Sequence, residues 1–101
     1  MEVIITKRAF NAIQKITDYY FDELSLPAGA QKLADEIDDF IYLQLTKHHS
    51  VYQLCSKSTW KKRNLQCAVF KSQYIVAYKI LKNDLHVYHF VHGSKIKESK
   101  Y

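Results

Sequence analysis

The sequence predicts a small α+β domain with the element order β-α-α-β-β-β. Apolar residues recur every three or four positions through much of the first half of the chain, which is typical of amphipathic helices. Three short alternating segments joined by polar turns then follow over residues 64–92, which is typical of a β-meander. A chain of 101 residues has room for one core, so residues 1–101 are expected to form a single domain.

The chain is expected to open with a strand inside residues 1–6, because Val3, Ile4 and Ile5 form a β-branched run. Thr6 offers a hydroxyl group that can cap a helix beginning at the next residue. The apolar stripe of this first helix continues to about Leu24.

A proline separates the first helix from a second one. Pro27 cannot continue a helix but readily begins one, and the second apolar stripe runs to about His48. Two helices joined by so short a loop form an αα-hairpin over residues 7–48. We expect this hairpin to cover one face of the sheet and to leave the other face partly open.

The antiparallel meander is predicted to consist of strands at residues 65–71, 74–81 and 85–91. In the last strand, alternation places Leu85, Val87, His89 and Val91 on one face, with His86, Tyr88, Phe90 and His92 on the other. Residues 49–63 form an irregular connection that can carry a function or a short turn, and residues 93–101 form a basic tail.

Charge divides the chain into two unlike halves. Residues 1–46 carry four bases and eight acids, net −4, whereas residues 47–101 carry eleven bases and two acids, net +9. The basic half indicates a face for a polyanion or an acidic protein, although ordinary solvated surface explains it equally well. The lysines expected to contact nucleic-acid phosphates are Lys61, Lys62, Lys71, Lys95 and Lys97.

The two cysteines suggest a reducing compartment. Cys55 and Cys67 have no metal-binding or CxxC spacing, and the sequence starts directly with a predicted strand, so we expect two thiols and a cytoplasmic protein. No apolar run approaches the roughly 20 residues that cross a membrane, so no membrane partner is expected.

His92 is the strongest single candidate for proton transfer, because an ordinary histidine pKa suits general acid–base chemistry. It can equally well close the last strand in a purely structural role. Metal binding by His86, His89 and His92 is disfavoured, because the first and last would stand about 20 Å apart along a strand. No metal and no cofactor is therefore expected.

Several short segments together resemble the RelE/ParE superfamily of toxins from type II toxin–antitoxin systems, over nearly the whole chain. They are VIIT at 3–6 with the helix start around Ala9, ITDYY at 16–20, YQLC at 52–55, YIVAYK at 74–79, LHVY at 85–88 and HG at 92–93. The chain departs from the family pattern by carrying Lys79 at a frequent arginine position. It also has Gln66 and Cys67 where the first meander strand usually begins with arginine, the nearest arginine being Arg63.

The resemblance implies a growth-inhibiting toxin neutralised by a cognate antitoxin, with either DNA gyrase or ribosome-bound messenger RNA as its target. In a RelE-like mechanism, Arg63 and Lys79 would neutralise phosphate charge and His92 would transfer a proton. In a ParE-like mechanism the chain would inhibit gyrase by protein contact alone, which the long hairpin and the few catalytic candidates favour slightly. A third hypothesis is a degenerate, non-toxic member that persists as a binding module for an acidic partner or RNA.

Overall fold

The computed structural model describes residues 1–93, so Lys95, Lys97 and most of the predicted tail lie outside the described residues. The principal elements follow the predicted order. They are strand β1 (Val3–Ile5), helix α1 (Lys7–Asp18), helix α2 (Pro27–Asp39), and strands β2 (Gln66–Phe70), β3 (Tyr74–Leu81) and β4 (Asp84–His92). The chain is therefore a small α+β domain.

The helical hairpin begins where the sequence predicts it. The Thr6 hydroxyl accepts a hydrogen bond from the Ala9 amide at 3.2 Å, which caps α1. A π-helical segment, Tyr19–Glu23, extends α1, and Pro27 occupies the first turn of α2. Further helical segments continue α2, namely a π-helix at Phe40–Leu45, an α-helical turn at Thr46–His48 and a 3₁₀ turn at His49–Val51.

The four strands form one mixed sheet in the order β1-β4-β3-β2. The predicted antiparallel meander is confirmed, because β3 pairs antiparallel with both β2 and β4. Strand β1 joins the sheet parallel to β4, with Ile5 opposite Val87. This parallel pair brings the start of α1 next to the middle of β4.

Tight turns hold the meander in register. Lys71 and Ser72 have φ values of 54° and 58°, and Lys82 and Asn83 have φ values of 50° and 65°. Two successive residues with positive φ form the turn whose twist matches a β-hairpin. Lys82-Asn83 lies within the predicted turn, although lysine has no special tolerance for this conformation.

A β-bulge interrupts the pairing of β3 with β4. Ala77 lies opposite His89 while Tyr78 lies opposite Val87, so Tyr88 is the additional residue. The predicted alternation holds for Leu85 and Val87 but is wrong beyond them. Phe90, predicted on the opposite face from Val87, packs in the same hydrophobic core.

The sheet separates two hydrophobic clusters. The larger one lies beneath α1 and α2, and its buried members include Leu33, Ile37, Ile41, Leu45, Val76, Tyr78 and Phe90. We call the other side of the sheet the outer face. There, Trp60, Leu65 and Cys55 pack on Ile75 and Ala77. The outer face is therefore more covered than predicted.

A short helix, Ser58–Lys62, provides this cover within the segment predicted to be irregular. Trp60 is its buried residue, at 6% exposure. The segment is attached to β2 by backbone hydrogen bonds from the Cys55 amide to the Leu65 carbonyl and from the Cys67 amide to the Gln53 carbonyl.

Cys55 and Cys67 form a disulfide, so the expectation of two separate thiols is wrong. An isolated antiparallel bridge between Leu54 and Gln66 brings the two backbone segments together, and the cysteines that follow these residues are diagonal neighbours with Cα atoms 5.0 Å apart. The bond joins β2 to the segment that carries the short helix.

Across residues 1–93, none of the helices has both the length and the apolar character needed to cross a membrane.

Candidate functional site

The bulge in β4 directs two successive side chains to the outer face. In a regular strand Tyr88 and His89 would point in opposite directions. Here Tyr88 is the unpaired residue of the bulge and His89 lies opposite Ala77, so Tyr88 packs against the outer cluster and His89 stacks on Trp60. Bulges often re-aim side chains at functional sites, so this point of the sheet is a candidate site.

His89 is a buried, neutral base. Its side chain is 8% exposed, and its Nε2 atom has no hydrogen-bond partner among the described residues. Burial lowers the pKa of His89, and the positive charges of Arg8, Arg63 and Lys57 lower it further. A neutral imidazole can accept a proton, although the Nε2 atom of this ring is enclosed by the surrounding protein. The nearby cations attract anions.

A pocket of about 340 Å³ lies beside His89, and we call it the bulge pocket. Its lining residues are Thr6, Arg8, Arg63, Tyr88 and His89. The Arg63 guanidinium lies over the Tyr88 ring, 5.1 Å from its centre.

The junction between β1 and α1 holds one wall of the bulge pocket in place. The Thr6 hydroxyl donates a hydrogen bond to the Tyr88 carbonyl at 3.2 Å, and the Thr6 amide donates to the Val87 carbonyl at 3.0 Å. Thr6 thus both caps α1 and forms hydrogen bonds with the bulged backbone of β4. Arg8, two residues later, reaches the same pocket from the first turn of the helix.

Lys79 lies on the outer face beyond Tyr88. It pairs with His86 across the strands, and the His86 ring stacks near the Tyr88 ring with 6.3 Å between centroids. Arg63 and Lys79 are therefore on the same face, connected through His86 and Tyr88. Lys61 and Lys62 are exposed on the short helix immediately before Arg63.

Lys71, by contrast, has a partner on the helical hairpin. Its Nζ atom lies 2.7 Å from Glu36 Oε2, and this hydrogen bond to lysine is the main reason that the pKa of Glu36 is lowered. The ion pair stands at the turn between β2 and β3, at an exposed position. Lys71 is therefore paired with an acidic residue of α2 in this structure.

His92 lies apart from Arg63 and Lys79. It pairs with Tyr74, and its ring meets the Tyr74 ring edge-on with 5.3 Å between centroids, on the helix side of the sheet. Lys79 is five residues further along β3, roughly 17 Å by strand rise, and points to the other face. The structure does not bring the three predicted catalytic residues into one site.

Sequence reasoning missed Arg8 altogether and did not bring Tyr88 and His89 together in one site. Alternation placed His89 with the core-facing residues, and only the bulge reverses that assignment. Gln66, at a position where the resembled family favours arginine, has a structural role. Its side-chain nitrogen donates hydrogen bonds to the carbonyls of His49 and Tyr52, at 2.9 and 2.7 Å.

The bulge pocket is suited to a phosphate or another oxyanion. Two guanidinium groups can neutralise the charge of an anion, and a neutral imidazole can accept a proton from a hydroxyl group brought with it. Within the described part of the chain, no group of three or more histidine, cysteine or acidic residues could hold a metal ion.

No protein-family model matches the chain, and no curated protein matches it either.

Proposed function

We propose that the chain is a growth-inhibiting toxin of the RelE/ParE superfamily and is neutralised by a cognate antitoxin. Two features support this proposal. The first is the α+β fold, in which a helical hairpin packs on a meander in the element order predicted from the sequence. The second is the cationic bulge pocket, whose two arginines suit an RNA phosphate.

The bulge pocket is the observation that favours RNA cleavage over protein contact. Arg8 and Arg63 would bind the phosphate that follows the reacting ribose, with Lys79 adding positive charge further along the strand. Arginine suits this role because its planar fork can hold two phosphate oxygens at once. A guanidinium fixed over the Tyr88 ring loses less conformational freedom when a phosphate binds.

Proton transfer is assigned to His89 in this mechanism, and it requires the imidazole to turn on Trp60 so that its buried Nε2 atom meets the substrate. The ribose 2′-hydroxyl attacks the adjacent phosphorus, its proton passes to the neutral imidazole, and the bond from phosphorus to the 5′ oxygen breaks. A proton from water neutralises the departing oxygen, which leaves a 2′,3′-cyclic phosphate and a 5′-hydroxyl end. The nearby guanidinium groups stabilise the negative charge that develops on the phosphate oxygens.

Inhibition of DNA gyrase by contact is the second candidate, because the helical hairpin exposes large apolar side chains. They are Phe10, Tyr19, Phe21, Leu24, Leu26, Tyr42 and Leu43. Exposed apolar side chains in such number are typical of a protein-binding surface. A gyrase-directed toxin would use this surface and would not need the bulge pocket.

Induction of the chain without its partner distinguishes these candidates. RNA cleavage predicts growth arrest with rapid loss of messenger RNA, and Arg63→Ala should relieve the arrest. Lys32→Ala is the matched control, because Lys32 is an exposed lysine on α2. DNA breaks with filamentation, unaffected by Arg63→Ala, would support gyrase. Unimpaired growth at full expression would contradict both and leave the degenerate binding module.

A further inference from the structure

A second, larger cleft lies between α1 and the end of β4, and we call it the α1 cleft. Its volume is about 620 Å³, within the range of pockets that bind ligands. The helix contributes Lys7, Arg8, Asn11, Ala12, Lys15 and Ile16, and the strand contributes Phe90, Val91 and His92. The proposed RNA reaction does not use this cleft.

The rim of the α1 cleft is positively charged. Lys7, Arg8 and Lys15 are exposed, and none of the lining residues described is acidic. Two of these cations stand in the first turn of α1, which contains no acidic residue. Cations are unfavourable there because they meet the positive end of the helix dipole. Such a departure from local preference is expected where a residue serves binding.

The floor of the α1 cleft is apolar and favours a peptide over RNA. Ala12, Ile16 and Val91 are half-buried and present aliphatic surface. Single-stranded RNA binds best where an exposed aromatic ring can stack on a base. Phe90 is only 1% exposed and cannot offer such a face.

The chain's own terminal residues are a poor match for this cleft. Residues 94–101 contain Lys95, Lys97 and Lys100 against the single acid Glu98, so their net charge has the same sign as the rim. A cationic rim around an aliphatic floor matches an extended segment in which acidic residues alternate with apolar ones.

We propose that the α1 cleft binds an acidic, apolar-containing segment of the partner protein, and that Arg8 couples this binding to the bulge pocket. Arg8 lines both cavities. A carboxylate that engages Arg8 from the α1 cleft removes a phosphate contact from the bulge pocket. The partner therefore weakens RNA binding without filling the bulge pocket. The identity of the partner as the antitoxin rests on the proposed function, whereas the binding site does not.

The test measures peptide and RNA binding directly on the full-length chain, without any toxicity readout. The first probe is a synthetic, end-capped peptide of eight residues in which glutamate and leucine alternate. Control peptides replace every glutamate with lysine or every leucine with serine. The second probe is a labelled single-stranded oligodeoxyribonucleotide, which cannot be cleaved through a 2′-hydroxyl.

Three charge variants separate the two cavities. Lys15→Glu should weaken binding of the acidic peptide about fivefold to tenfold and change oligonucleotide binding by less than about twofold. Arg63→Ala should weaken oligonucleotide binding about fivefold to tenfold and change binding of the acidic peptide by less than about twofold. Arg8→Glu should weaken binding of both the peptide and the oligonucleotide. On the unmodified chain, the acidic peptide should displace the oligonucleotide. Lys32→Glu, an equal change of net charge on α2, should affect neither probe.

Either of two results would overturn the proposal. Equal weakening of peptide binding by Lys15→Glu and Lys32→Glu would mean that only net charge matters. Loss of oligonucleotide binding in Lys15→Glu with peptide binding unchanged would assign the cleft to nucleic acid. Thermal unfolding of each variant serves as the control for folding, and these exposed positions are expected to leave it unchanged.

Discussion

The Trp60 indole lies stacked on the His89 imidazole, with 4.7 Å between ring centroids and 15° between ring planes. This contact joins the short helix Ser58–Lys62 to the bulge in β4. Arg63 follows that helix directly and lies over Tyr88, the neighbour of His89. The position of the cationic end of the helix therefore depends on a neutral, buried histidine.

Acid should destabilise the protein through His89. Its pKa in the folded chain is below the ordinary value of 6.5, so below that pH the unfolded chain binds more protons than the folded chain. The free energy of unfolding should fall as pH drops below about 6.5, by at most about 1.4 kcal/mol for each pH unit from this group.

A His89→Phe variant keeps a flat ring against Trp60 but has no titrating group. Urea unfolding of both proteins between pH 5 and 8 should show a smaller loss of stability for the variant over the acid half of the range. Parallel pH profiles would show that His89 is not the source of the acid sensitivity.

Arg63 should matter for its shape as well as for its charge. Arg63→Lys retains the charge but loses the planar fork and the stacking over Tyr88. We expect it to bind a single-stranded oligonucleotide about threefold to tenfold more weakly, with the same salt dependence. Arg63→Ala should additionally reduce the slope of log affinity against log salt by about 0.7.

The matched control for these variants is Lys62→Arg, which alters the preceding exposed residue and keeps its charge. Its affinity should stay within about twofold of the unmodified chain. Fluorescence anisotropy over a series of salt concentrations measures both quantities. Equal affinities for Arg63→Lys and the unmodified chain would exclude a role for the guanidinium geometry.

Reduction should loosen the segment that carries the short helix. The disulfide between Cys55 and Cys67 closes a loop with a sequence separation of 12 residues. In the chain-entropy model, breaking a disulfide that closes a loop of this size lowers the free energy of unfolding by about 3 kcal/mol. Disulfides are rare in the cytosol, so the state of this bond should follow the redox poise of the cell.

Trp60 is the single tryptophan and packs in the same cluster as Cys55, so its fluorescence reports this change directly. A dithiol reductant should lower the urea midpoint and alter the emission of the unmodified chain. A variant with both cysteines replaced by serine should resemble the reduced protein and ignore the reductant. An unmodified chain that responds no more than this variant would contradict the prediction.

Gln66 should contribute to stability through its two hydrogen bonds to backbone carbonyls. In a partly buried region, Gln66→Leu removes the side-chain donor to the Tyr52 carbonyl and one of two donors to the His49 carbonyl, which keeps its bond from the Tyr78 hydroxyl. We expect a loss of about 1–3 kcal/mol in the free energy of unfolding. Gln31→Leu is the control, because it removes only an exposed contact to Asp35 and should cost less than about 0.5 kcal/mol.

Local chemistry made the hairpin and meander predictable. The Thr6 cap, the break at Pro27 and the turn at Lys82-Asn83 each depend on residues adjacent in sequence. The parallel pairing of β1 with β4 joins residues more than 80 positions apart, and no local pattern encodes it.

The candidate site was harder to predict because it depends on one extra residue. Without the bulge at Tyr88, the alternation of β4 would direct His89 toward the helices. Lys71 appeared available for phosphate in the sequence, but the fold places Glu36 within 2.7 Å of it. Arg63 was predicted to neutralise phosphate, whereas its position over Tyr88 depends on the packing of Trp60, which no local pattern encodes.

The pKa of His89 with and without bound nucleic acid tests the central claim most directly. Imidazole NMR resonances can be followed through a pH titration of the full-length chain, alone and saturated with a single-stranded oligodeoxyribonucleotide. A phosphate in the bulge pocket should raise the pKa of His89, because a nearby negative charge favours the protonated ring. We expect this rise in the unmodified chain and a smaller rise in Arg63→Ala. An unchanged pKa of His89 at saturation, with resonance changes confined to His92, would contradict it.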